Sequence, residues 1–341
     1  MTTNSEFYGG LAPAEDWPSA AAPVDVPNWT ENLFWIAYDG ASGMALTAHL
    51  GSLRHDFNVV RQTVVLHLPD GSVATDITVG GFRSGHSVRG ATLTMDCIEG
   101  FRHWRVASNG VAQPAILDDL WSNTPRPAPR VPLQFDLQGE ALSPVWNAGG
   151  GKDAEDMHQQ KWAQFHIQQT IRLCGTVNFD GRRYEFNGTG FRDHSRGARD
   201  FATWHDHALI TAPFPSGRSF GIMAVNNGQG AAPYRSAYVV RNGILERGVP
   251  RATPKLTDQF LKGESFTVDI EIDGRVESIR AKTRPAWVVS MVAPYDVLPG
   301  IYRGAGSFPL AHAMTTFEWD GEIGFGITER SAPADTLPPT R

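Results

Sequence analysis

Apolar side chains recur at every second position over short stretches of this chain, and most stretches end in a residue pair suited to a tight turn. The clearest case runs from Ser265 to Lys282. Phe266, Val268, Ile270 and Ile272 alternate with polar residues up to Asp273-Gly274, and Val276, Ile279 and Ala281 answer them on the return. Similar pairs stand at Asp70-Gly71, Asp180-Gly181, Ser216-Gly217, Asn242-Gly243 and Asp320-Gly321, where glycine supplies the positive φ that two-residue turns demand. Period-2 patterning at this spacing predicts an all-β protein of antiparallel sheets, closed into barrels or stacked as sandwiches. Helical signals are confined to a turn or two at Leu256 to Leu261 and a short helix over Ala154 to Phe165.

The prolines of Ser122 to Pro132 remove donors and fix φ, so this stretch is expected to be irregular. Gly149 to Asp156 reads as an exposed connection or an active-site loop. With 341 residues the chain exceeds the roughly 250–300 at which one hydrophobic core stops growing. Two β domains are therefore expected, 1–155 and 156–341. The first 25 residues and the tail after Arg330 read as loose or wrapping ends.

A formal charge of −6 with dispersed basic residues argues against nucleic acid or anionic lipid as partners. Cys97 and Cys174 are the only cysteines and lie far apart, which indicates neither a disulfide framework nor a cysteine zinc site. The N-terminal stretch lacks the pattern of a secretory signal, and no window nears the roughly 20 apolar residues that span a bilayer. A cytoplasmic protein without integral membrane contact is expected, and a homodimer is left open.

Potential chemistry is densest between Gly188 and Asp206, where three arginines, three carboxylates, two histidines, a serine and a tryptophan crowd together. Such charge needs partners if it is buried, so the segment is either solvated or an organised polar network. On a continuous strand Arg192, His194 and Arg196 share one face, with Asp193 and Ser195 on the other. Gly188, Gly190 and Gly197 point instead to a bend or bulge that aims Asp193 and His194 into one pocket. The competing structural explanation is a buried Arg-Asp network pinning a barrel rim. His205 and His207 straddle Asp206 as a metal pair would, but no third ligand follows at a recognisable spacing, so no metal is expected.

His49 reads as a strand-end residue able to face a cavity, and the aromatic set, Trp35 and Trp204 included, is large enough to line an apolar pocket as well as fill two cores. The Gly217-Arg218-Ser219-Phe220-Gly221 match to a nucleophile elbow lacks the strand-to-helix context that such an elbow needs. Phosphate-loop and dinucleotide fingerprints are absent from the sequence.

Gln168-Gln169, Gly175-Thr176-Val177 with Asp180-Gly181, and the run Gly188-x-Gly190-x-Arg192-Asp193-His194-Ser195-x-Gly197-x-Arg199-Asp200 together resemble the signature of the AttH-like and hydroxyneurosporene synthase-like (carotenoid 1,2-hydratase) superfamily. Phe317 to Glu329 is similar to that family's C-terminal strand pair. The resemblance implies two lipocalin-like antiparallel β-barrel domains in tandem, a ligand site at or near their junction, and a hydrophobic small molecule as substrate.

The expected activity is that of a lyase or isomerase, of hydratase or dehydratase type, that needs no cofactor and moves protons on a terpenoid-, steroid- or polyketide-like compound. Asp193 is the expected acid, with His194 or His205 as its partner or replacement. Arg192, Arg196, Trp204, His49 and Trp35 are expected to contact substrate, and Arg199, Asp200 and Ser195 to form the supporting network. A non-catalytic lipid or terpenoid carrier and a shape-only cyclase are the alternatives.

Overall fold

The computed structural model describes residues 4–121, 128–150, 157, 160, 163–198, 204–228, 232–292, 296–304 and 307–337. The chain is all-β and divides into two compact units, Met1–Pro114 with Ala128–Phe201, and Ala115–Pro127 with Ala202–Arg341.

The first unit carries β1 (Trp29–Asp39), β2 (Met44–Ser52), β3 (Val60–His67), β4 (Val73–Val79), β5 (Phe82–Ser84), β6 (Ser87–Arg89), β7 (Leu93–Glu99), β8 (His103–Ala115), β9 (Val131–Ala141), β10 (Trp146–Asn147), β11 (Phe165–Phe179) and β12 (Arg182–Ala198). Its sheet follows the path β11-β12-β1-β2-β3-β4-β8, and β9 pairs with both β8 and β11, so the path turns back on itself. Alternation sends Leu33, Trp35, Leu46, Leu50, Leu137 and Leu173 into a shared core. Trp35 fits because position 139 is glycine. A Cβ there would meet the indole at 2.7 Å.

The boundary expected at residue 155 is displaced to about 201. Trp29 to Tyr38 of β1 pairs with Thr189 to Ala198 of β12, so β11 and β12 complete the first barrel and do not begin the second. The Arg-Asp-His-Ser motif accordingly belongs to the first unit. Strand β9 also starts inside the stretch expected to be irregular, with Pro132 at its second residue, where a missing donor is tolerated. Residues 122–127 and most of the helix expected over 154–165 lie outside the described residues, and Phe165 opens β11.

The second unit holds β13 (Trp204–Pro213), β14 (Ser219–Asn227), β15 (Tyr234–Arg241), β16 (Ile244–Pro250), β17 (Ser265–Ile272), β18 (Arg275–Thr283), β19 (Trp287–Val292), β20 (Asp296–Pro299), β21 (Phe308–Trp319) and β22 (Glu322–Ser331). Pairing runs from β13 through β18 in order, then β18 to β21, β21 to β22 and β22 back to β13, which closes an eight-stranded barrel. Ile210, Phe220, Ile222, Ile270, Phe317 and Trp319 fill it.

Below that core a satellite cluster gathers the short helix Asp258–Lys262, capped by the Thr257 side chain, with Trp121 and the C-terminal Ala334 and Leu337. The Trp121 indole donates to Ala286 O at 2.7 Å. The tail after Arg330 is thus a wrapping end. No helix among the described residues is long and apolar enough to cross a membrane.

Candidate functional site

Through the motif, β12 pairs with β1 and β11 without a register shift, so its side chains simply alternate. The expected bulge is absent. Gly190 serves close packing instead, since a Cβ there would come within 2.1 Å of Ile36 O. Asp193 and His194 therefore point to opposite faces and cannot share a pocket.

The inward face holds a buried ionic network. Arg192 grips Asp16 with two parallel bonds of 2.8 and 2.9 Å, and Gln169 Oε1 accepts from the same guanidinium. Asp16 also accepts the Phe101 amide at 2.6 Å and the Trp104 indole N–H at 3.1 Å. His194 lies between two carboxylates, its Nδ1 3.3 Å from Asp16 and its Nε2 3.0 Å from Glu31. Both nitrogens face acceptors, so the ring serves as a doubly protonated donor. Arg83 and Ser19 complete the shell of Glu31.

Burial opposes charge on Asp16, but Arg192 and His194 outweigh it and lower its pKa from 3.8 to about 2. Glu31 is likewise lowered from 4.5 to about 2: burial opposes its charge, and His194 and Arg83 outweigh that. Burial disfavours the His194 cation, and the two carboxylates overcome this and raise its pKa. Every charge here has a partner. The network ties the N-terminal segment Pro13–Asp16 to the barrel.

The outward face is different. Asp193 Oδ2 and His166 Nε2 share a short hydrogen bond, and Gln168 Nε2 donates to the same oxygen at 3.3 Å. The Trp146 ring stands edge-on to His166 with centroids 5.9 Å apart. Register places Phe34 beside Asp193, and Phe191 lies two residues earlier on the same face, its ring edge-on to Phe34 at 5.6 Å. A carboxyl–imidazole pair rimmed by rings is suited to passing a proton to or from an apolar molecule.

The second barrel carries its own cluster. Glu329 Oε1 receives His207 Nε2 at 2.6 Å, and Oε2 lies 2.5 Å from His312 Nε2. Ser331 Oγ accepts the His207 amide at 3.2 Å and the Trp204 indole N–H at 3.4 Å, which turns its own hydrogen toward His207 Nδ1. His207 then donates from Nε2 to Glu329. His312 stacks on Trp287 with centroids 4.5 Å apart and planes 12° from parallel. Burial opposes the charge of Glu329, and His312 and His207 hold its pKa far below the usual carboxylate range.

Of the residues singled out in sequence, Arg192 and His194 are locked in the inward network, and Trp35 is core, 1% exposed. None of the three faces the outward pair. Arg196 leans over the Phe165 ring at 4.2 Å and lies 3.8 Å from Glu31. Ser195 is buried on the outward face, and His49 hydrogen-bonds Asn32 at 3.1 Å beside Phe34.

Trp204 packs edge-on against His207 and Phe308 in the second unit. His205 and His207 do not share a face, because the register shifts between Trp204 and Asp206. His205 is 53% exposed beside Asp206, whereas His207 is buried. Arg199 and Asp200 lie outside the described residues.

Sequence reasoning missed His166 and His312, and took Trp146 and Trp287 only as members of the aromatic set able to line a pocket or fill a core. The one available signal was His166 within Phe-His-Ile-Gln-Gln, two residues before the quoted Gln168-Gln169. Among the described residues no group of three or more His, Cys, Asp or Glu side chains is arranged to hold a metal ion. An open trough of about 540 Å³, lined by Thr94, Arg105, Asn109, Gln134, Asp136 and Arg183 among others, is polar and includes no residue of either cluster.

Two lipocalin-like barrels, each bearing a carboxylate–imidazole cluster on its outer face, define a double-barrel protein of AttH-like fold. The solved structure of a protein described as AttH from Nitrosomonas europaea matches with a TM-score of 0.54 at 12% identity, covering 92% of this chain and 94% of that one. CghA with Sch210972 matches at 0.54 and 14%, covering 91% and 89%. Kievitone hydratase from Nectria haematococca matches at 0.52 and 10%, covering 91% and 92%. No curated protein sequence is significantly similar. The chain belongs to the family described as domain of unknown function DUF7064, which it matches over residues 14–334.

Proposed function

We propose that this protein is an enzyme that moves a proton on a hydrophobic substrate in a hydration, dehydration or isomerisation, with Asp193 as the acid and His166 as its partner. The observation that carries this reading is the Asp193–His166 pair on the outward face of β11 and β12, flanked by Phe34, Phe191 and Trp146. It is supported by a shared fold with a kievitone hydratase, whose name denotes addition or loss of water. In the hydration sense, the proton held by the dyad bonds to one alkene carbon. The neighbouring cationic carbon is stabilised by the π-faces, water oxygen bonds to it, and the surplus proton returns to the dyad. Run backwards, the same steps eliminate water.

The test is incubation with hydrophobic alkenes and enones in ¹⁸O-labelled water, followed by mass spectrometry. Label should enter a product with the native protein, and Asp193→Asn should slow this by roughly 10²–10⁴-fold, the usual worth of a positioned acid. Undiminished turnover in the Asn variant would overturn the assignment. Absence of turnover on every alkene, together with tight retention of one of them, would point to a carrier.

A further inference from the structure

The open trough of about 540 Å³ on the first barrel is built from two rungs of the sheet. Along one of them, Phe82 pairs with Arg89, Arg89 with Thr94, Thr94 with Ala107, Ala107 with Asp136 and Asp136 with Thr176, across β5, β6, β7, β8, β9 and β11. Along the other, Asn109 pairs with Gln134, Gln134 with Asn178 and Asn178 with Arg183. Their sequence neighbours Leu93, Val106, Phe135 and Val177 point into the core, so both rungs look outward. Ala107 has the smallest side chain of its rung and forms the floor between Arg105 and Asn109, two residues away on either side.

The three arginines of the trough are not equivalent. Arg105 grips Asp136 with two bonds of 2.8 Å, and Arg183 is held by Glu185 at 2.9 Å. Among the described residues Arg89 has no acid and no hydrogen-bond acceptor. Its guanidinium stands over the exposed Phe82 ring, 5.5 Å from the centroid.

Neutral polar groups complete the lining. Asn109 Oδ1 accepts from Gln134 Nε2 at 2.9 Å, which leaves the Asn109 amide hydrogens and the Gln134 carbonyl without a partner among the described residues. The Asn178 amide and the Thr94 hydroxyl have none either.

Such a surface offers donors and acceptors side by side, which matches a ligand rich in hydroxyls. Its volume falls within the roughly 300–1,000 Å³ of small-molecule sites, but its wall is polar where most such sites are apolar. One unpaired guanidinium fits one negative charge. A dianionic phosphate in the same place would meet the Asp136 carboxylate.

We propose that this trough binds a sugar acid, with the carboxylate on Arg89 and the hydroxyls on Asn109, Gln134, Asn178 and Thr94. The site is separate from Asp193 and His166 and does not depend on the reaction assigned to them.

Methyl β-D-glucuronide and methyl β-D-glucoside, which differ by a carboxylate against a hydroxymethyl group, test it by NMR titration of the native protein. The glucuronide should bind about 3- to 5-fold more tightly at low salt, the worth of one ion pair in contact with water, and the difference should fade at 1 M salt. Arg89→Gln should abolish that preference and leave glucoside affinity unchanged, and Arg89→Lys should keep part of it. Asn178→Ala should weaken both sugars alike. An unchanged Tm in each variant reports an intact fold.

Arg89→Gln should also leave labelled-water addition unchanged, so the two claims stand or fall separately. Binding of neither sugar, equal affinity for both in the native protein, a preference that survives Arg89→Gln, or acetate binding as tightly as the glucuronide would overturn the proposal.

Discussion

Replacing Asp16 by Asn should destabilise the first barrel more than any exposed charge change. Asp16 is fully buried, and its Oδ2 alone accepts from Arg192, the Phe101 amide and the Trp104 indole. An amide is nearly isosteric, but one of its two ends becomes a donor. If Nδ2 takes the Oδ2 position, three N–H groups face another N–H group. If the amide flips, the 2.8 Å bond from Arg192 Nη1 and the contact with His194 are lost instead.

Either way the buried Arg192 guanidinium loses the Asp16 charge and the buried His194 imidazolium is left with that of Glu31, and breaking such a pair costs about 3–5 kcal/mol. For a domain of this size that corresponds to a fall in Tm of roughly 6–20 °C. Calorimetry at neutral pH reads it directly. The double variant Asp16→Asn, Arg192→Leu should be less unstable than the sum of its parts by about 1–3 kcal/mol, because the stranded cation is gone. A Tm change under about 2 °C for Asp16→Asn, or strict additivity in the pair, would refute the claim that this network is both buried and mutually dependent.

Acid should act on the same network. The folded pKa values of Asp16 and Glu31, about 2 against 3.8 and 4.5, lie below their ordinary values, so the stability they contribute is complete above about pH 4.5 and disappears as pH falls through about 2. His194 runs oppositely: its pKa is raised above 6.5, so its contribution is complete below 6.5 and is lost as pH rises through the elevated value. Denaturant midpoints across the acid range should fall below about pH 4.5, and a flat profile would contradict the assignment. Gly139→Ala should cost about 1–3 kcal/mol by forcing the Trp35 ring from its place, measured as a lower denaturation midpoint at unchanged slope.

What was legible in sequence was local. The pairs Asp180-Gly181, Asn242-Gly243, Asp273-Gly274 and Asp320-Gly321 all take positive φ at both residues, and a two-residue signal suffices to read such turns. Alternation placed Val268, Ile270 and Ile272 correctly in the second core, although Val276 lies on the exposed side of the return strand. The domain boundary was not legible, because pairing of β12 with β1 joins residues far apart in sequence and no local feature records it. The same holds for the partner of Arg192. Asp16 stands 176 residues away in a stretch that reads as a loose end. His166 was passed over because a histidine in an apolar run has no distinguishing spacing. Its meaning comes from a neighbour on the next strand.

The motif also shows why charge density alone misassigns roles. Arg192, Asp193, His194 and Ser195 are consecutive, yet a regular strand deals them alternately to a sealed interior and an outer face. Inside, each ion is matched by counter-ions, Arg192 and His194 against Asp16 and Glu31. Outside, Asp193 meets an imidazole and an amide among aromatic rings, and there a proton has somewhere to go.

The second barrel repeats the division with Glu329 outward and Arg330 inward, the latter under Phe260 and Phe266 at 4.2 and 4.7 Å. A repeat that preserved only stability would need the inward cation and its acid. The outward acid with a serine two residues on, Asp193 with Ser195 and Glu329 with Ser331, is extra, and in both barrels it comes with a histidine and a tryptophan from the strands alongside. That combination, rather than the count of charges, distinguishes the outer faces from the interiors.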